Sequence, residues 1–300
     1  MKQPEKQVEL KEYLDLLQDQ LRIVTDIYND HRSLIKDTVG RDLRVHMMFP
    51  LMNSIISNGY CIGGMLVQGF LNETYMIMRA MYERCLNYCY LVCASDSDFN
   101  RYFEHAFQKN IRSLRKELIV SGFGFRLELK GHKEIWDRPS VKKLLEEYQR
   151  KISGKEIQNW SKETRNRFER LEWISKNIKD IFWKIYVFVE IMLFDESSEA
   201  LHGTFFGSIF HTGYFENRIR RNGKWVNKDN VTPQKQLLIG YAAILLHTVV
   251  QAASHKRPIE ESVNRSKNNV LKMAKLLEVT TASNDISDTD EIGILLPTED

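Results

Sequence analysis

The sequence predicts an all-α protein, a multi-helix bundle with one long irregular or hairpin insertion, and three observations carry that prediction. Only six prolines and fifteen glycines interrupt 300 residues, so few positions force the backbone out of a helix. Long runs of Leu, Met, Glu, Lys and Arg lose little rotamer freedom in a helix. Apolar residues recur at three- and four-residue intervals along most of the chain. With 43% hydrophobic and 11% aromatic residues the chain is able to bury a sizeable core. One helical domain is expected over residues 1–279, followed by an acidic, disordered tail over 280–300.

The elements follow in order. Leu10, Tyr13, Leu14, Leu17, Leu21, Val24 and Ile27, with charges between them, predict an amphipathic helix over about 6–38. A second helix is expected from about 41 to 57, stopped by Asn58-Gly59, and a third over about 63–94. Ser95-Asp96-Ser97-Asp98 supplies N-caps for a fourth, running to about Val120. From Ser121 to Ser140 the periodicity fails and a crossover with a short extended piece is expected; Pro139 then suits the first turn of a short helix through about Lys151. Ser161-Lys-Glu-Thr reads as the start of another helix, and the aromatic-rich run from Ile178 to Phe194 as a buried one. Asn222-Gly223, between Arg218-Ile-Arg-Arg and Lys224-Trp-Val, predicts a β-hairpin within about 214–228, because both turn positions need positive φ. Thr232-Pro233 and Arg257-Pro258 introduce the last two helices, the second ending near Leu277.

Charge and composition narrow the functional classes. The net charge is +3, but residues 280–300 hold six carboxylates and no Lys or Arg, which leaves about +9 for the body by difference. MKQPEKQVELKEYL has no apolar core of the kind a secretory signal needs, so a cytoplasmic location is expected. Residues 237–253 are the longest apolar run, yet they include His247 and Gln251. A central buried helix is therefore expected, and no membrane partner. Cys85, Cys89 and Cys93 lie along one drifting helical face as free thiols; three thiolates on one helix cannot surround an ion, so no metal and no cofactor is expected. No GxxxxGK[ST], GxGxxG after a strand, HExxH or G-x-S-x-G is present.

Two polar clusters remain. Arg79 and Glu83 stand one turn apart among Tyr75, Met76, Leu86 and Tyr90. At about 100° per residue they fall away from Glu73, Ala80, Arg84 and Asn87, the expected solvent side, so the pair is expected to be part-buried. Ser198 and His202 are four apart in SSEALHG and share a face if that stretch is helical; the alternative is a short helix with a serine start and a Gly203 stop.

MRAMYERCLNYCYL resembles the R-x-x-x-E helix of an uncharacterised, mostly bacterial helical family, domain of unknown function 5677, and SEALHG resembles its later S-x-x-x-H-G signature. The resemblance covers about residues 40–255 and implies an α-helical bundle in which Arg79 and Glu83 face Ser198 and His202. The chain is also similar to the HEPN superfamily, whose helical bundles use an R-polar-x-x-x-H motif that Arg41-Asp42-Leu43-Arg44-Val45-His46 spells. This resemblance implies RNA cleavage without a metal, or nucleotide binding, in defence or stress. The Arg would balance phosphate charge while the His moves a proton during attack by the RNA 2′-hydroxyl. The catalytic candidates are thus Arg79, Glu83, Ser198 and His202, with Arg41, Asp42 and His46 as the alternative set.

A different class remains open, a non-enzymatic interaction protein whose polar cluster is structural. Its contacts would be the basic strip Arg218, Arg220, Arg221, Lys224 and Trp225, suited to RNA phosphate and base stacking, or a protein partner held through the acidic tail. A homodimer would suit a site completed by two subunits.

Overall fold

The computed structural model describes residues 10–37, 43–114, 118–122, 125–129, 139, 160–178, 187, 189–193, 197, 218–221, 224–227, 231–256 and 258–283. It is an all-α bundle with two short antiparallel hairpins: α1 (Leu10–Asp37), α2 (Leu43–Gln68), α3 (Leu71–Cys93), α4 (Asp96–Leu114), β1 (Leu118–Gly122), β2 (Phe125–Leu129), α5 (Arg167–Asn177), β3 (Arg218–Arg221), β4 (Lys224–Asn227), α6 (Val231–Ser254) and α7 (Glu260–Ser283). Contacts group the chain into two compact units. The first joins Met1–Cys89 to Ile178–Asp300, and the second is Tyr90–Asn177.

In the first unit α1, α2, α6 and α7 pack together, α6 at the centre. Tyr13, Leu17, Leu21, Val24 and Ile27 form the buried stripe of α1, as the three-to-four spacing requires. On α6, Leu238, Ala242, Leu245, Leu246, Val249 and Val250 are fully buried on several sides. The helix is long and apolar enough to cross a membrane, and 83% of its apolar window is buried inside the protein, the position of a core helix. Small residues set the spacing. A Cβ at Gly59 would stand 2.4 Å from Leu21 Cδ2, and one at Gly240 would stand 3.2 Å from Leu277 Cδ1.

Gly59 also explains a correction. Asn58-Gly59 does not end α2, because the glycine serves helix packing against α1. The helix continues to Gly69, whose φ of +87° only glycine adopts without strain. There the Phe70 N–H reaches Met65 O at 2.9 Å and the Gly69 N–H reaches Leu66 O at 3.3 Å, a Schellman-type stop.

In the second unit Ser95 caps α4, its Oγ accepting the Asp98 N–H at 3.2 Å. α4 ends at Leu114, short of Val120, because β1 and β2 pair from Leu118↔Leu129 to Gly122↔Phe125; part of the crossover is therefore a hairpin that begins before the expected extended piece. Ser161 does not open a helix. α5 starts at Arg167, behind a reciprocal cap in which Asn166 Oδ1 accepts the Glu169 N–H at 3.0 Å and Glu169 Oε2 accepts the Arg165 N–H at 2.6 Å.

The expected hairpin near 214–228 is present as β3 and β4, paired from Arg218↔Asn227 to Arg221↔Lys224. Within the aromatic-rich run, residues 189–193 are helical. The short helix after Pro139 and the tail beyond Ser283 lie outside the described residues.

Candidate functional site

Arg79 and Glu83 lie on α3 with Nε and Oε1 3.5 Å apart. Met78, Tyr82 and Leu86 beside them are buried in the core, which holds the helix face in place. The pair straddles the protein surface: the Arg79 side chain is 18% exposed and the Glu83 side chain 49%. Glu83 thus stands further out than its neighbours predict. Arg84, placed by spacing on the solvent side, is instead drawn toward α2, where its Nη1 donates to Asn58 Oδ1 at 2.7 Å. This charge-assisted bond folds the Arg84 side chain against the protein rather than into solvent. An ion pair so open to water contributes at most about 1 kcal/mol, so stability alone does not account for it.

Ser198 and His202, the other half of the expected constellation, lie outside the described residues, as do Arg41 and Asp42; His46 falls on α2 at a position whose side chain is not described. Of the basic strip, the backbone register is described: Arg220 is the cross-strand partner of Trp225, and Arg221 that of Lys224.

Two polar clusters that sequence reasoning did not assemble are present. The first is a seam between α1, α6 and α7. The Gln20 amide donates to Ser266 Oγ and, at 3.4 Å, to Ala243 O. Ser266 Oγ stands 2.8 Å from His247 Nδ1. The Asn269 amide joins Gln20 Oε1 at 3.4 Å to Asp19 Oδ2 at 2.8 Å, and Arg265 donates to Asp19 Oδ1. Gln20, His247 and Ser266 are completely buried. Burial, with a smaller contribution from Lys267, lowers the His247 pKa to about 4, so the imidazole is neutral at pH 7 and Nδ1 is able to accept the Ser266 hydrogen. At the outer end, burial would raise the Asp19 pKa, but the Asn269 and Arg265 hydrogen bonds outweigh it and the carboxyl lies below its usual range.

The second is a knot in the other unit, centred on the buried carboxylate of Asp98. Tyr90 Oη donates to Oδ2 at 2.7 Å, Ser161 Oγ to Oδ2 at 2.5 Å, the Lys162 N–H to Oδ1 at 2.9 Å and the Glu163 N–H to Oδ2 at 3.3 Å. Desolvation pushes this acid up, and the four donors more than offset it, leaving its pKa lowered. Trp160 closes the knot, edge-on to Tyr90 at 5.6 Å and to Tyr102 at 4.9 Å, with the Arg170 guanidinium 4.4 Å from its ring centre.

The buried parts of both clusters are tied by hydrogen bonds and read as architecture, while the outer end of the seam, Asp19 and Arg265, reaches solvent as the Arg79–Glu83 pair does. The core thiols are poor nucleophiles: Cys85 and Cys89 are buried and in no disulfide, Cys89 Sγ donates to Thr248 O at 3.6 Å, and burial holds the Cys85 pKa well above its usual value.

The arrangement defines a helical-bundle protein with a surface-facing Arg/Glu pair. The chain belongs to a family of unknown function, DUF5677, which matches residues 47–218. No curated protein and no solved structure matches the chain.

Proposed function

We propose that this protein is a cytoplasmic, HEPN-like ribonuclease of defence or stress that works without a metal, with Arg79, Glu83, Ser198 and His202 as its site. The observation that favours this set of residues over Arg41, Asp42 and His46 is the extent of the family match. Residues 47–218 enclose both the R-x-x-x-E and the S-x-x-x-H-G motifs and leave out Arg41, Asp42 and His46. The partial exposure of Arg79 and the half-exposed Glu83 favour it as well, since a phosphate must reach the guanidinium. In this reading Arg79 balances charge on the phosphate, Glu83 orients Arg79, and His202 takes the 2′-hydroxyl proton. Replacing His202 with Ala is expected to abolish cleavage of single-stranded RNA by the purified protein while shifting the thermal midpoint by less than about 2 °C. Cleavage that survives in His202→Ala but is lost in His46→Ala would move the site to the other motif. A wild-type protein inert toward RNA would sink the reading.

The hairpin supports a second, non-enzymatic reading, RNA binding through Arg218, Arg220, Arg221, Lys224 and Trp225. Its register makes an arginine and a tryptophan cross-strand partners, the combination that phosphate contact plus base stacking uses. Affinity that falls steeply between about 50 and 200 mM salt, and that disappears when the three arginines become glutamate, is the expected signature. Salt-insensitive binding would exclude it.

A further inference from the structure

The geometry points to a second copy of this chain as the occupant of the outer face of α2, paired antiparallel about a two-fold axis between Ser57 and Tyr60. The proposal does not depend on the functional reading above. From Pro50 to Val67 the exposed positions are Pro50, Asn53, Ser57, Tyr60, Gly64 and Val67, the three-to-four spacing of one helical face. Tyr60 is 50% exposed and Val67 65%. No residue between 47 and 68 carries a formal charge. Among the described helices this sets α2 apart, since exposed surfaces elsewhere carry residues such as Glu12 and Asp15 on α1, Glu83 on α3, and Glu260 and Lys272 on α7.

Gly64 is the second observation. A glycine inside a helix costs about 1 kcal/mol relative to alanine. Gly59 is required by Leu21 and Gly69 by its backbone angle, but a Cβ at Gly64 would meet nothing within 4 Å. Nothing packed against it in this chain demands it. A close approach by another backbone would.

Charge and size both select the same chain as that neighbour. Charged groups set against a neutral stripe lose hydration with no partner in return, whereas another α2 offers an uncharged face. In an antiparallel pair centred between Ser57 and Tyr60, Pro50 meets Val67, Asn53 meets Gly64 and Ser57 meets Tyr60. Every contact sets a larger side chain against a smaller or flatter one, and two-fold symmetry makes each contact twice. The Ser57 hydroxyl already donates to Asn53 O at 2.9 Å, so it enters the interface without an unmet hydrogen bond. The face is about 25 Å long, which places the interface at the small end of specific ones and makes the expected dimer a weak one.

Sedimentation velocity on the full chain from about 1 to 100 µM tests this, with far-UV circular dichroism as the check on folding. The wild type is expected to dimerise in that range. Gly64→Glu, which has open space in the monomer, is expected to stay folded and monomeric. Gly64→Asn alone is expected to weaken the dimer at least about tenfold, because it sets Asn against Asn; the exchange Asn53→Gly with Gly64→Asn restores the large-to-small pairing and is expected to recover it. A wild type that remains monomeric at 100 µM, or a dimer untouched by Gly64→Glu, overturns the assignment. An exchange variant as weak as Gly64→Asn overturns the antiparallel register.

Discussion

The seam between α1, α6 and α7 and the knot around Asp98 bury polar groups in opposite ways. Asp98 keeps its charge, because Tyr90, Ser161 and two backbone N–H groups donate to it. His247 gives up its charge, because burial and Lys267 favour the neutral ring, whose Nδ1 stands 2.8 Å from Ser266 Oγ. The contrast shows what decides the protonation state of a buried group: the number of donors or acceptors that converge on it, set against the cost of leaving water.

The harshest way to break the contrast is to remove the anion. Asp98→Ala leaves two hydroxyls and two N–H groups without their acceptor and is expected to cost about 3 kcal/mol or more in urea unfolding. Asp98→Asn keeps one oxygen and tests whether charge matters beyond geometry, with an intermediate loss expected. An Asn variant as stable as the wild type would make the knot indifferent to charge.

Next comes the proton that His247 refuses. Its pKa is about 4 folded against 6.5 unexposed to the fold, a depressed value for a base. Its contribution is therefore intact above about pH 6.5 and declines as pH falls, because the unfolded chain binds a proton that the folded chain rejects until about pH 4. From this group alone, stability is expected to fall by about 2 kcal/mol between pH 7 and 5. His247→Gln should flatten that slope. An equal slope in the variant would place the acid sensitivity elsewhere.

Within the seam, Ser266→Ala removes the group between Gln20 and His247 and is expected to cost about 1–2 kcal/mol. The smallest effect belongs to the seam's outer end. Arg265 is half exposed where it meets Asp19, so Arg265→Ala is expected to change stability by no more than about 0.5 kcal/mol, less in high salt. A larger, salt-independent loss would mean that Asp19 depends on that arginine more than on Asn269.

How much of this was legible beforehand depended on whether the signal was local. The α1 stripe, the Ser95 cap and the Asn222-Gly223 hairpin are local, and each is where the sequence puts it. The stop at Asn58-Gly59 was misread because Leu21, 38 positions away, decides what that glycine does. Ser161 was misread for the same reason: its hydroxyl is directed to Asp98, 63 positions earlier. His247 and Gln251 stood out as polar residues in an apolar run, but nothing along the chain names Ser266 or Gln20 as company. At the candidate site, spacing placed Arg79 and Glu83 as a pair but missed how far Glu83 reaches into solvent, and nothing along the chain pairs Arg84 with Asn58 on α2, 26 positions earlier.

The division of the first unit into two stretches of chain has a consequence for biosynthesis. Gln20 and Ala243 touch across 223 positions, so at roughly 5–20 residues per second a ribosome needs about 10–45 s to deliver α6 after α1 has emerged. Throughout that interval the apolar stripe of α1 has no α6 to cover it, while residues 90–177 are complete long before α6 is made. The nascent chain is therefore expected to draw a holdase chaperone to its first helix.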